Sequence, residues 1–479
     1  MIAVYIILAI IVVFLAVILI RAALFVPKEE QGQAVPAVKF DRKAAENALA
    51  ALVQCKTVSY ADHSLEDDGE FEKLISLLPE LYPHVIKTCS LQRLDDRALL
   101  FCWKGRGGAG NPAVLMAHYD VVPVEEENWE KPPFSAIVEK DVMWGRGTLD
   151  TKVTFNGILS AAEALIQEGF TPENDVYFAF SGGEEINGKG AVNIVHWFEE
   201  QGIVPAMVVD EGGAVVQDVF PGVKGPCALI GIAEKGMLNL EYHIASSGGH
   251  ASAPKPHTPV GRLAMACSKV ESHPFQSHLT KPVLEMFDKL GRRSTFVYRI
   301  IFANLWCFRP VLDMICKKSG GELNALVRTT VAFTQMQGSK APNVIPPSAS
   351  MVANMRLNPE DSVASAVEYI RKTIGDEDIE LVVGDHMEPS PISRTDCEGW
   401  QRVVNAVSGT WPGSVVSPYL MVQCSDSRHY RDLSDRVYRF SAMDMTNEER
   451  STIHGNNERI RLEVIHRAVE FFIRLIQQC

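Results

Sequence analysis

The sequence lacks several features that would assign it to a specialised class of protein. Its ten cysteines are scattered without a C-x-x-C pair, and no N-x-S/T glycosylation site occurs among its 479 residues. These absences argue against a disulfide framework and favour a compartment without oxidative folding or glycosylation. Basic residues are also scarce, since 46 Lys and Arg face 59 Asp and Glu for a net charge of −13. Nucleic-acid binding needs a basic surface, so we expect no nucleic-acid partner.

Charged side chains are absent from residues 1–20. About 20 apolar residues at a rise of 1.5 Å each match the roughly 30 Å hydrocarbon core of a bilayer. A signal peptide has basic residues before its apolar stretch, but here none precedes Arg21, and no clear A-x-A cleavage site follows. We therefore predict an uncleaved, single-pass membrane anchor, with a signal peptide and a buried core helix as alternatives. Arg21 and Lys28 favour a cytoplasmic catalytic domain, but Glu29 and Glu30 offset them, so the side of the membrane stays open.

The rest of the chain alternates helical and strand-like patterns, and 47% of its residues are hydrophobic. Short apolar runs bounded by turn signals are typical of buried parallel strands. The pattern predicts an α/β fold, a mixed and mostly parallel sheet flanked by helices, with an inserted α+β domain. A mixed apolar and basic stretch at residues 275–320 is predicted to be a helical insert. The predicted divisions are a transmembrane anchor (1–26), a linker (27–40), a catalytic domain in two parts (41–227 and 391–479) and a smaller domain (228–390).

Two glycine-rich segments match nucleotide-binding motifs in their residue types but not in the structure predicted around them. Residues 105–110 fit G-x-G-x-x-G, but Asn111, Pro112 and another strand follow where the dinucleotide motif needs a helix. Residues 183–189 resemble a phosphate-binding loop, but Gly190 stands where Ser or Thr must bind Mg²⁺. The sequence therefore predicts no nucleotide site at either segment.

Histidine and carboxylate side chains follow three of the predicted buried strands, at the point where each strand ends. In open α/β sheets, ligands bind beyond the carboxyl ends of the strands. Each residue has an ordinary explanation by itself, such as a helix cap or a core histidine, but these explanations do not account for the shared position. So many carboxylates need neutralising cations, and imidazoles with carboxylates suit two divalent ions such as Zn²⁺, about 3.5–4 Å apart and sharing one carboxylate. The converging residues are His118, Asp120, Asp150, Glu184, Glu185, Asp210 and His454.

These residues stand in motifs that resemble the M20 family of zinc-dependent metallopeptidases. The resemblance covers about residues 45–479 and rests on the order and spacing of the motifs together. Asp210, the HGNNE ending and the long insert are most similar to the carboxypeptidase S branch, which also includes hydrolases of N-fatty-acyl amino acids. The matching segments are His118-x-Asp120, Gly145-Arg-Gly-Thr-Leu-Asp150-Thr-Lys152, Glu184-Glu185, Asp210, Ser247-Gly-Gly-His250-Ala-Ser, Asn354-Met-Arg356 and His454-Gly-Asn-Asn-Glu458.

The resemblance implies a role for each residue of the predicted metal site. Asp150 would bridge two zinc ions, for which Co²⁺ or Mn²⁺ can substitute, and a cis peptide bond would follow it. Glu184 would be the general base, and Asp120 would hold the His118 ring. In the same scheme His118 and Asp210 complete one metal site, and Glu185 and His454 complete the other.

In the smaller domain the resemblance implies a lid that also mediates homodimerisation. His250 would stabilise the oxyanion, in the family often from the partner subunit. Arg356 would bind the substrate carboxylate through its forked guanidinium, assisted by Asn343. A surface ion pair at Arg356 and a turn at Asn343 are the alternatives. Many relatives have a Gly-Thr-Asp loop where this chain has Gln-Cys-Ser-Asp-Ser-Arg at residues 423–428, so the contacts at that end of the substrate stay open.

The sequence thus predicts a membrane-anchored di-zinc hydrolase that cleaves an amide or peptide bond next to a free carboxylate. Carboxypeptidase, dipeptidase and N-acyl amino acid deacylase activities all remain open, with small peptides or N-acyl amino acids as substrates. The apolar insert and the anchor favour acyl substrates slightly. The alternative is a catalytically silent, membrane-anchored binding protein that retains the fold, which loss of Glu184 or of a metal ligand would indicate.

Overall fold

The computed structural model describes residues 1–27, 36–108, 110–218 and 220–479, and it confirms the α/β architecture. Most of the predicted linker, residues 28–35 with Lys28, Glu29 and Glu30, lies outside the described residues.

Helices and strands are numbered in chain order. The helices are α1 (Ile2–Leu24), α2 (Arg42–Val53), α3 (Asp68–Leu81), α4 (Pro83–Thr88), α5 (Lys152–Gln167), α6 (Gly190–Glu200), α7 (Pro259–Ser272), α8 (Lys281–Gly291), α9 (Phe296–Phe302), α10 (Leu305–Ser319), α11 (Gly321–Val327), α12 (Val363–Ile374), α13 (Glu398–Thr410), α14 (Asn447–Arg450) and α15 (Leu462–Ile476). The strands are β1 (Ser90–Leu94), β2 (Ala98–Trp103), β3 (Ala113–His118), β4 (Ile137–Glu139), β5 (Val142–Trp144), β6 (Val176–Ser181), β7 (Met207–Val216), β8 (Cys227–Glu234), β9 (Gly236–Ala245), β10 (Gly249–His250), β11 (Thr330–Gln337), β12 (Val344–Ile345), β13 (Ser348–Leu357), β14 (Glu380–Met387), β15 (Val415–Met421), β16 (Val437–Met445) and β17 (Arg459–Arg461).

An eight-stranded sheet, in the order β1-β2-β6-β3-β7-β16-β8-β15, forms the centre of the larger domain. Strands β6, β3, β7 and β16 run parallel, as do β8 and β15, while β1 and β2 pair antiparallel at one edge. Strands β3 and β6 are buried along their whole length because helices cover both faces of the sheet. Leu115 shares a core with Phe155 of α5, and Val114 shares another with Phe198 of α6. The continuous apolar runs are therefore the buried parallel strands that they predict.

A four-stranded antiparallel sheet, in the order β11-β13-β9-β14, has a separate core shared with α7 and α12. Burial alternates residue by residue along β9 because one face packs on these helices and the other is more exposed. Helix α12 begins with a capping box of Ser362 and Ser365, and it ends at Gly375 in the left-handed conformation. One boundary differs from the prediction of residue 228. Residues 228–234 belong to strand β8 of the larger sheet, so the smaller sheet begins at Gly236 with β9.

The insert is helical, as predicted, and consists of α8 to α11. It lies against the larger sheet, because Val283, Met286 and Phe287 of α8 belong to the same core as β8 and β15. Helix α1 in turn lies against α9 of the insert. Within the described residues, α1 is the single helix long and apolar enough to cross a membrane.

Candidate active site

The ends of the parallel strands bring the predicted site residues to one edge of the larger sheet. His118 ends β3 and stands in register with Ser181, which ends the neighbouring strand β6. A short 3₁₀ turn, Glu184–Ile186, follows β6 and carries the two adjacent glutamates to the same edge. Asp150 comes from the segment just before α5, and its peptide bond to Thr151 is cis, as the resemblance implies. The cluster therefore lies at the sheet edge where ligands bind in α/β folds.

Asp150 lies at the centre of the cluster between two histidines. Its Oδ1 atom is 3.0 Å from Nε2 of His118, and its Oδ2 atom is 2.9 Å from Nε2 of His454. The Oε2 atom of Glu185 lies 3.1 Å from the same nitrogen of His454. One carboxylate thus joins two imidazoles, which is the arrangement of a shared ligand between two metal ions.

Of the two adjacent acids Asp210 and Glu211, the one nearer His118 is Glu211, whereas the sequence predicts Asp210 as the metal ligand. The carboxylate of Glu211 faces the cluster, with Oε1 3.5 Å from Nε2 of His118. Asp210 instead accepts a hydrogen bond of 2.8 Å at Oδ2 from the backbone N–H of Ser427. Successive side chains of a strand point to opposite faces, so only one of the two can face His118. Two sets of side chains could each hold a metal ion, because within each set the ligand atoms all lie within 4.8 Å of one another. The first set is His118, Asp150 and Glu185, and the second is His118, Glu184 and Glu211.

The cluster holds more carboxylates than positively charged groups. Burial and the neighbouring carboxylates raise the pKa of Glu211 to about 8 and the pKa of Glu184 well above its usual range. Hydrogen bonds to Asp150 and Glu185 raise the pKa of His454 to about 10. The Oε1 atom of Glu185 is buried and has no hydrogen-bond partner among the described residues. Excess carboxylate charge and an unpartnered ligand oxygen both fit a site for divalent cations.

Asp120 holds the clustered side chains in place from behind. Its Oδ1 atom accepts a hydrogen bond of 3.1 Å from the backbone N–H of Glu184, and its Oδ2 atom accepts one of 3.2 Å from that of Glu185. The Oδ2 atom also accepts from Oγ of Ser59 at 2.8 Å. The Nδ1 atom of His118 lies 3.0 Å from the backbone oxygen of Asp120 and 3.4 Å from its Oδ1 atom. The same side chain therefore orients one histidine and both glutamates.

Glu458 organises the loop that presents Asp150. Its Oε1 atom accepts hydrogen bonds from the backbone N–H groups of Leu149 at 2.7 Å and Asp150 at 3.2 Å. Its Oε2 atom accepts from the guanidinium of Arg146 at 2.7 Å and from the backbone of Gly147 at 3.0 Å. The glutamate is fully buried, so these bonds are protected from water. This residue closes the HGNNE motif, but the motif alone gave it no role.

A second positioning group comes from the loop at residues 423–428. The guanidinium of Arg428 is 3.9 Å from Oε1 of Glu184 and donates a hydrogen bond of 2.9 Å to Asn187. Asp426 accepts a short hydrogen bond from the hydroxyl of Ser181 at the end of β6. Burial raises the pKa of Asp426 to about 6. These contacts tie the loop to the catalytic edge, and the sequence offered no signal for the role of Arg428 beyond its place in the divergent loop.

Arg356 of the smaller sheet reaches toward this loop. Its Nη1 atom lies 3.5 Å from Sγ of Cys424, whose thiol is 3.6 Å from the backbone oxygen of Lys235. Burial, followed by the positive charge of Arg356, lowers the pKa of Lys235 to about 7. The guanidinium therefore lies between the two sheets, next to a loop that also contacts Glu184.

His250 and Asn343 lie together at another part of the smaller domain. The backbone oxygen of Asn343 accepts a hydrogen bond of 2.9 Å from Ala251, and strand β10 pairs with β12. The ring of His250 is exposed, with Nδ1 2.7 Å from the hydroxyl of Ser252. Within the described chain, neither residue hydrogen-bonds to the cluster around Asp150. The structure thus joins these two predicted residues to each other but not to the metal-ligating groups.

Comparison with known proteins decides the family. The profile of peptidase family M20/M25/M40 matches residues 114–478, which include every residue of the cluster. The chain belongs to this family. M20 members are hydrolases that act on C–N bonds, and this chain is such a hydrolase. Its metal-ligating groups fit the dinuclear metal dependence of the family.

Two curated relatives align over most of the M20 chain. It is 36% identical over 447 residues to N-fatty-acyl-amino acid synthase/hydrolase of Xenopus tropicalis, covering 91% of this chain and 86% of the relative. It is 34% identical over 436 residues to probable carboxypeptidase S-like 2 of Dictyostelium discoideum, covering 90% and 84%.

Solved structures share the fold at lower identity. An M20 family metallo-carboxypeptidase from Sulfolobus solfataricus has a TM-score of 0.67 at 17% identity, covering 90% of this chain and 98% of that chain. A dinuclear metal-binding M20 peptidase from Bacillus subtilis has a TM-score of 0.56 at 14% identity, covering 91% and 98%.

Proposed function

We propose that the protein is a membrane-anchored, di-zinc amidohydrolase that cleaves an amide bond next to a free carboxylate. The observation that carries this proposal is the position of Asp150, whose two carboxylate oxygens contact different histidines, His118 and His454. We assign His118 and Glu211 to one ion, Glu185 and His454 to the other, and Asp150 to both. This assignment takes Glu211 instead of the predicted Asp210, because the carboxylate of Glu211 lies 3.5 Å from His118 whereas that of Asp210 accepts a hydrogen bond from Ser427.

Divalent ions in such a site polarise an amide carbonyl and make water a stronger acid. The protein's own contribution is proton transfer and positioning. We assign Glu184 as the group that accepts a proton from the attacking water and donates it to the leaving nitrogen. Asp120 holds the backbone of Glu184, and Arg428 lies beside its carboxylate, so its direction is constrained. All these groups are present, which disfavours the catalytically silent alternative.

For the substrate, we favour N-acyl amino acids over peptides. The name of the relative from Xenopus tropicalis, an N-fatty-acyl-amino acid synthase/hydrolase, supports this choice. The apolar anchor also supports it, because a substrate with a hydrocarbon tail would partition into the membrane. Arg356 would bind the substrate carboxylate, since a forked guanidinium matches a carboxylate in a bidentate manner. A carboxypeptidase remains the second candidate, supported by the relative from Dictyostelium discoideum.

The test measures release of free amino acid by the purified full-length protein in detergent with zinc. Three substrates are compared: a long-chain N-acyl amino acid, the matching carboxamide, and a peptide ending in the same amino acid. We expect fast hydrolysis of the acyl amino acid, poor hydrolysis of the carboxamide, and loss of activity on chelation that zinc restores. Glu184→Gln serves as the matched inactive control. Failure of the zinc-loaded protein to hydrolyse either acid would refute the proposed activity.

Helix α1 is proposed to be a retained anchor rather than a cleaved signal. Asn304 of the insert is fully buried, and its side chain donates a hydrogen bond of 3.1 Å to the backbone oxygen of Ile18. Arg21 donates hydrogen bonds to the backbone oxygen of Ala303 and to the side chain of Asn304. Removal of α1 would take these hydrogen bonds from Ala303 and Asn304, which is costly for buried groups even though the Asn304 side chain keeps Ile300 and Trp306 as partners. The side of the membrane and homodimerisation through the smaller domain stay predictions.

A further inference from the structure

The insert presents a group of exposed apolar side chains on α9 and α10. Val297, Trp306 and Met314 are 68%, 60% and 61% exposed. Phe296, Tyr298 and Ile315 are 42%, 39% and 39% exposed, and we call these six residues the insert patch. Clusters of exposed apolar side chains are typical of interaction surfaces. We propose that the insert patch lies in the interface of the same phospholipid bilayer that α1 crosses, so that the enzyme contacts the membrane through a second element. This inference rests on the anchor part of the proposed function.

One member of the insert patch, Trp306, packs directly on α1. The ring of Trp306 packs edge-on against Phe14 in the middle of α1, with 5.8 Å between ring centroids. Asn304 and Ala303, just before α10, hydrogen-bond to Ile18 and Arg21 one to two turns further along the helix. The contacts run along one side of α1 and hold the insert beside it.

The depth of these contacts follows from helix geometry. Residues 2–20 form an uncharged stretch of about 28 Å, close to the roughly 30 Å core of a bilayer. Arg21 then lies at the headgroup boundary. Phe14 is seven residues earlier, which puts Trp306 about 10 Å deeper than Arg21. Amphipathic helices in membrane interfaces bury their apolar faces about 5–10 Å deep, and Trp306 therefore reaches the depth of such a helix.

The composition of the insert fits a lipid surface. Residues 281–319 contain eight Lys and Arg but three Asp and Glu, in a chain whose net charge is −13. Basic groups beside an apolar face attract anionic headgroups, and Tyr298 and Trp306 are residues that favour the membrane–water boundary. A protein partner or second copy would need to reach these residues beside α1, inside the space that lipid fills. The bilayer is therefore the occupant that the position of Trp306 beside α1 and the basic composition of the insert favour.

The experiment uses the full-length protein in lipid nanodiscs whose phospholipid carries a diazirine on the acyl chain. Nanodiscs of phosphatidylcholine alone and of phosphatidylcholine with phosphatidylserine are irradiated, and labelled peptides are mapped by mass spectrometry. We expect label on α1 and on residues 294–316, several-fold above the label on β14. Strand β14 is the internal control because its Val382 and Val383 are 39% and 41% exposed but lie on the smaller sheet. We also expect more label at residues 294–316 when phosphatidylserine is present.

Variants separate the insert patch from the anchor. Val297→Glu combined with Met314→Glu should reduce the label at residues 294–316 by more than half and leave the label on α1 unchanged. The control pair Val382→Glu with Val383→Glu should change neither. Turnover of a water-soluble substrate should be unaffected in both, which reports intact folding.

Label on α1 without label above the β14 level at residues 294–316 would overturn the inference while leaving the anchor intact. Capture of a second copy at these residues in place of lipid would overturn it as well. Absence of label from α1 would instead refute the anchor part of the proposed function.

Discussion

Replacing Glu211 by Gln should change the stability of the protein in opposite directions with and without metal. In the metal-free protein the ionised form of Glu211 lowers the stability of the folded state. Burial and the nearby charge of Asp150 raise the pKa of this carboxyl from 4.5 to about 8. An unfolded chain loses this proton near pH 4.5, whereas the folded chain keeps it until near pH 8. Folding stability therefore falls as the pH rises from about 4.5 to about 8, and the loss is absent at lower pH.

The magnitude follows from the size of the shift. At 1.36 kcal/mol per pKa unit, the penalty is on the order of 3–5 kcal/mol at pH 8. With an unfolding entropy of about 2 cal/mol/K per residue, this corresponds to a rise in Tm of about 3–5 °C for metal-free Glu211→Gln. At pH 4.5 the same substitution should leave Tm nearly unchanged, because the carboxyl is protonated in the folded state and half-protonated in the unfolded state.

With zinc the sign should reverse, since the proposed function makes Glu211 an anionic ligand. Residues that merely support a ligand typically contribute about 10–100-fold to metal affinity, and a direct ligand should contribute at least as much. The Tm gained on adding zinc should therefore be smaller in Glu211→Gln than in the natural protein. The assay is thermal unfolding at about pH 4.5 and about pH 8, with chelator or with zinc, together with the zinc content of the purified protein.

The matched control is Asp210→Asn, which alters the neighbouring acid that hydrogen-bonds to Ser427. This variant should bind two ions per chain. If Asp210→Asn loses zinc while Glu211→Gln binds it normally, the assignment of Glu211 to the metal site is refuted.

Three further predictions concern the base, the second ion and the anchor. Glu184→Gln should keep zinc and fold but lose about 10²–10⁴-fold in kcat, and a rate within about threefold of the natural protein would mean another group is the base. His454→Ala should lower zinc content at one of the two positions more than at the other, because His454 contacts Asp150 and Glu185 but not His118. Equal loss at both positions in metal analysis would contradict this prediction. A chain beginning at Phe40 should still turn over water-soluble substrates, since α1 contacts the insert rather than the cluster; loss of turnover together with zinc would show that α1 supports the core.

The sheets of this protein could be predicted because their sequence signals are local. Strand β13 alternates buried and less buried residues along its length, and the buried strands β3 and β6 begin with continuous apolar runs. Buried parallel strands need continuous apolar residues, and such runs are visible without any tertiary information. The positions of His118 and Asp150 followed from these strands and from the motifs around them.

Other features depend on contacts between distant segments and were not predictable. The choice between Asp210 and Glu211 depends on which face of β7 meets His118, and adjacent acids give no indication of it. The positions of Arg428 near Glu184 and of Asn304 against α1 join residues more than 200 positions apart. Sequence patterns of 10–15 residues report periodicity, but they do not report which distant segment covers a given face.

Substitution of Arg356 can distinguish loss of substrate recognition from loss of catalysis. Its guanidinium lies between the two sheets, 3.5 Å from Cys424, and its neighbour Lys235 is buried. Loss of a charge-assisted contact to a substrate carboxylate costs about 1.5–3 kcal/mol, or roughly ten- to 150-fold in kcat/KM. Arg356→Ala should therefore slow hydrolysis of acids by this factor and barely change the poor rate on the matching carboxamides. Arg356→Lys should not restore the rate, because a lysine cannot form the bidentate contact.

The control for Arg356 is Arg371→Ala, on the exposed side of α12, which should leave both rates unchanged. The assay compares kcat/KM for an acid and its carboxamide with the natural protein and the four variants Arg356→Ala, Arg356→Lys, Arg371→Ala and Cys424→Ser. Cys424→Ser should have a small effect on both substrates, since the thiol is a weak acceptor and not the expected partner of the guanidinium. If Arg356→Ala slows acid and carboxamide by the same factor, the guanidinium supports the interface between the two sheets, and carboxylate recognition must come from another group.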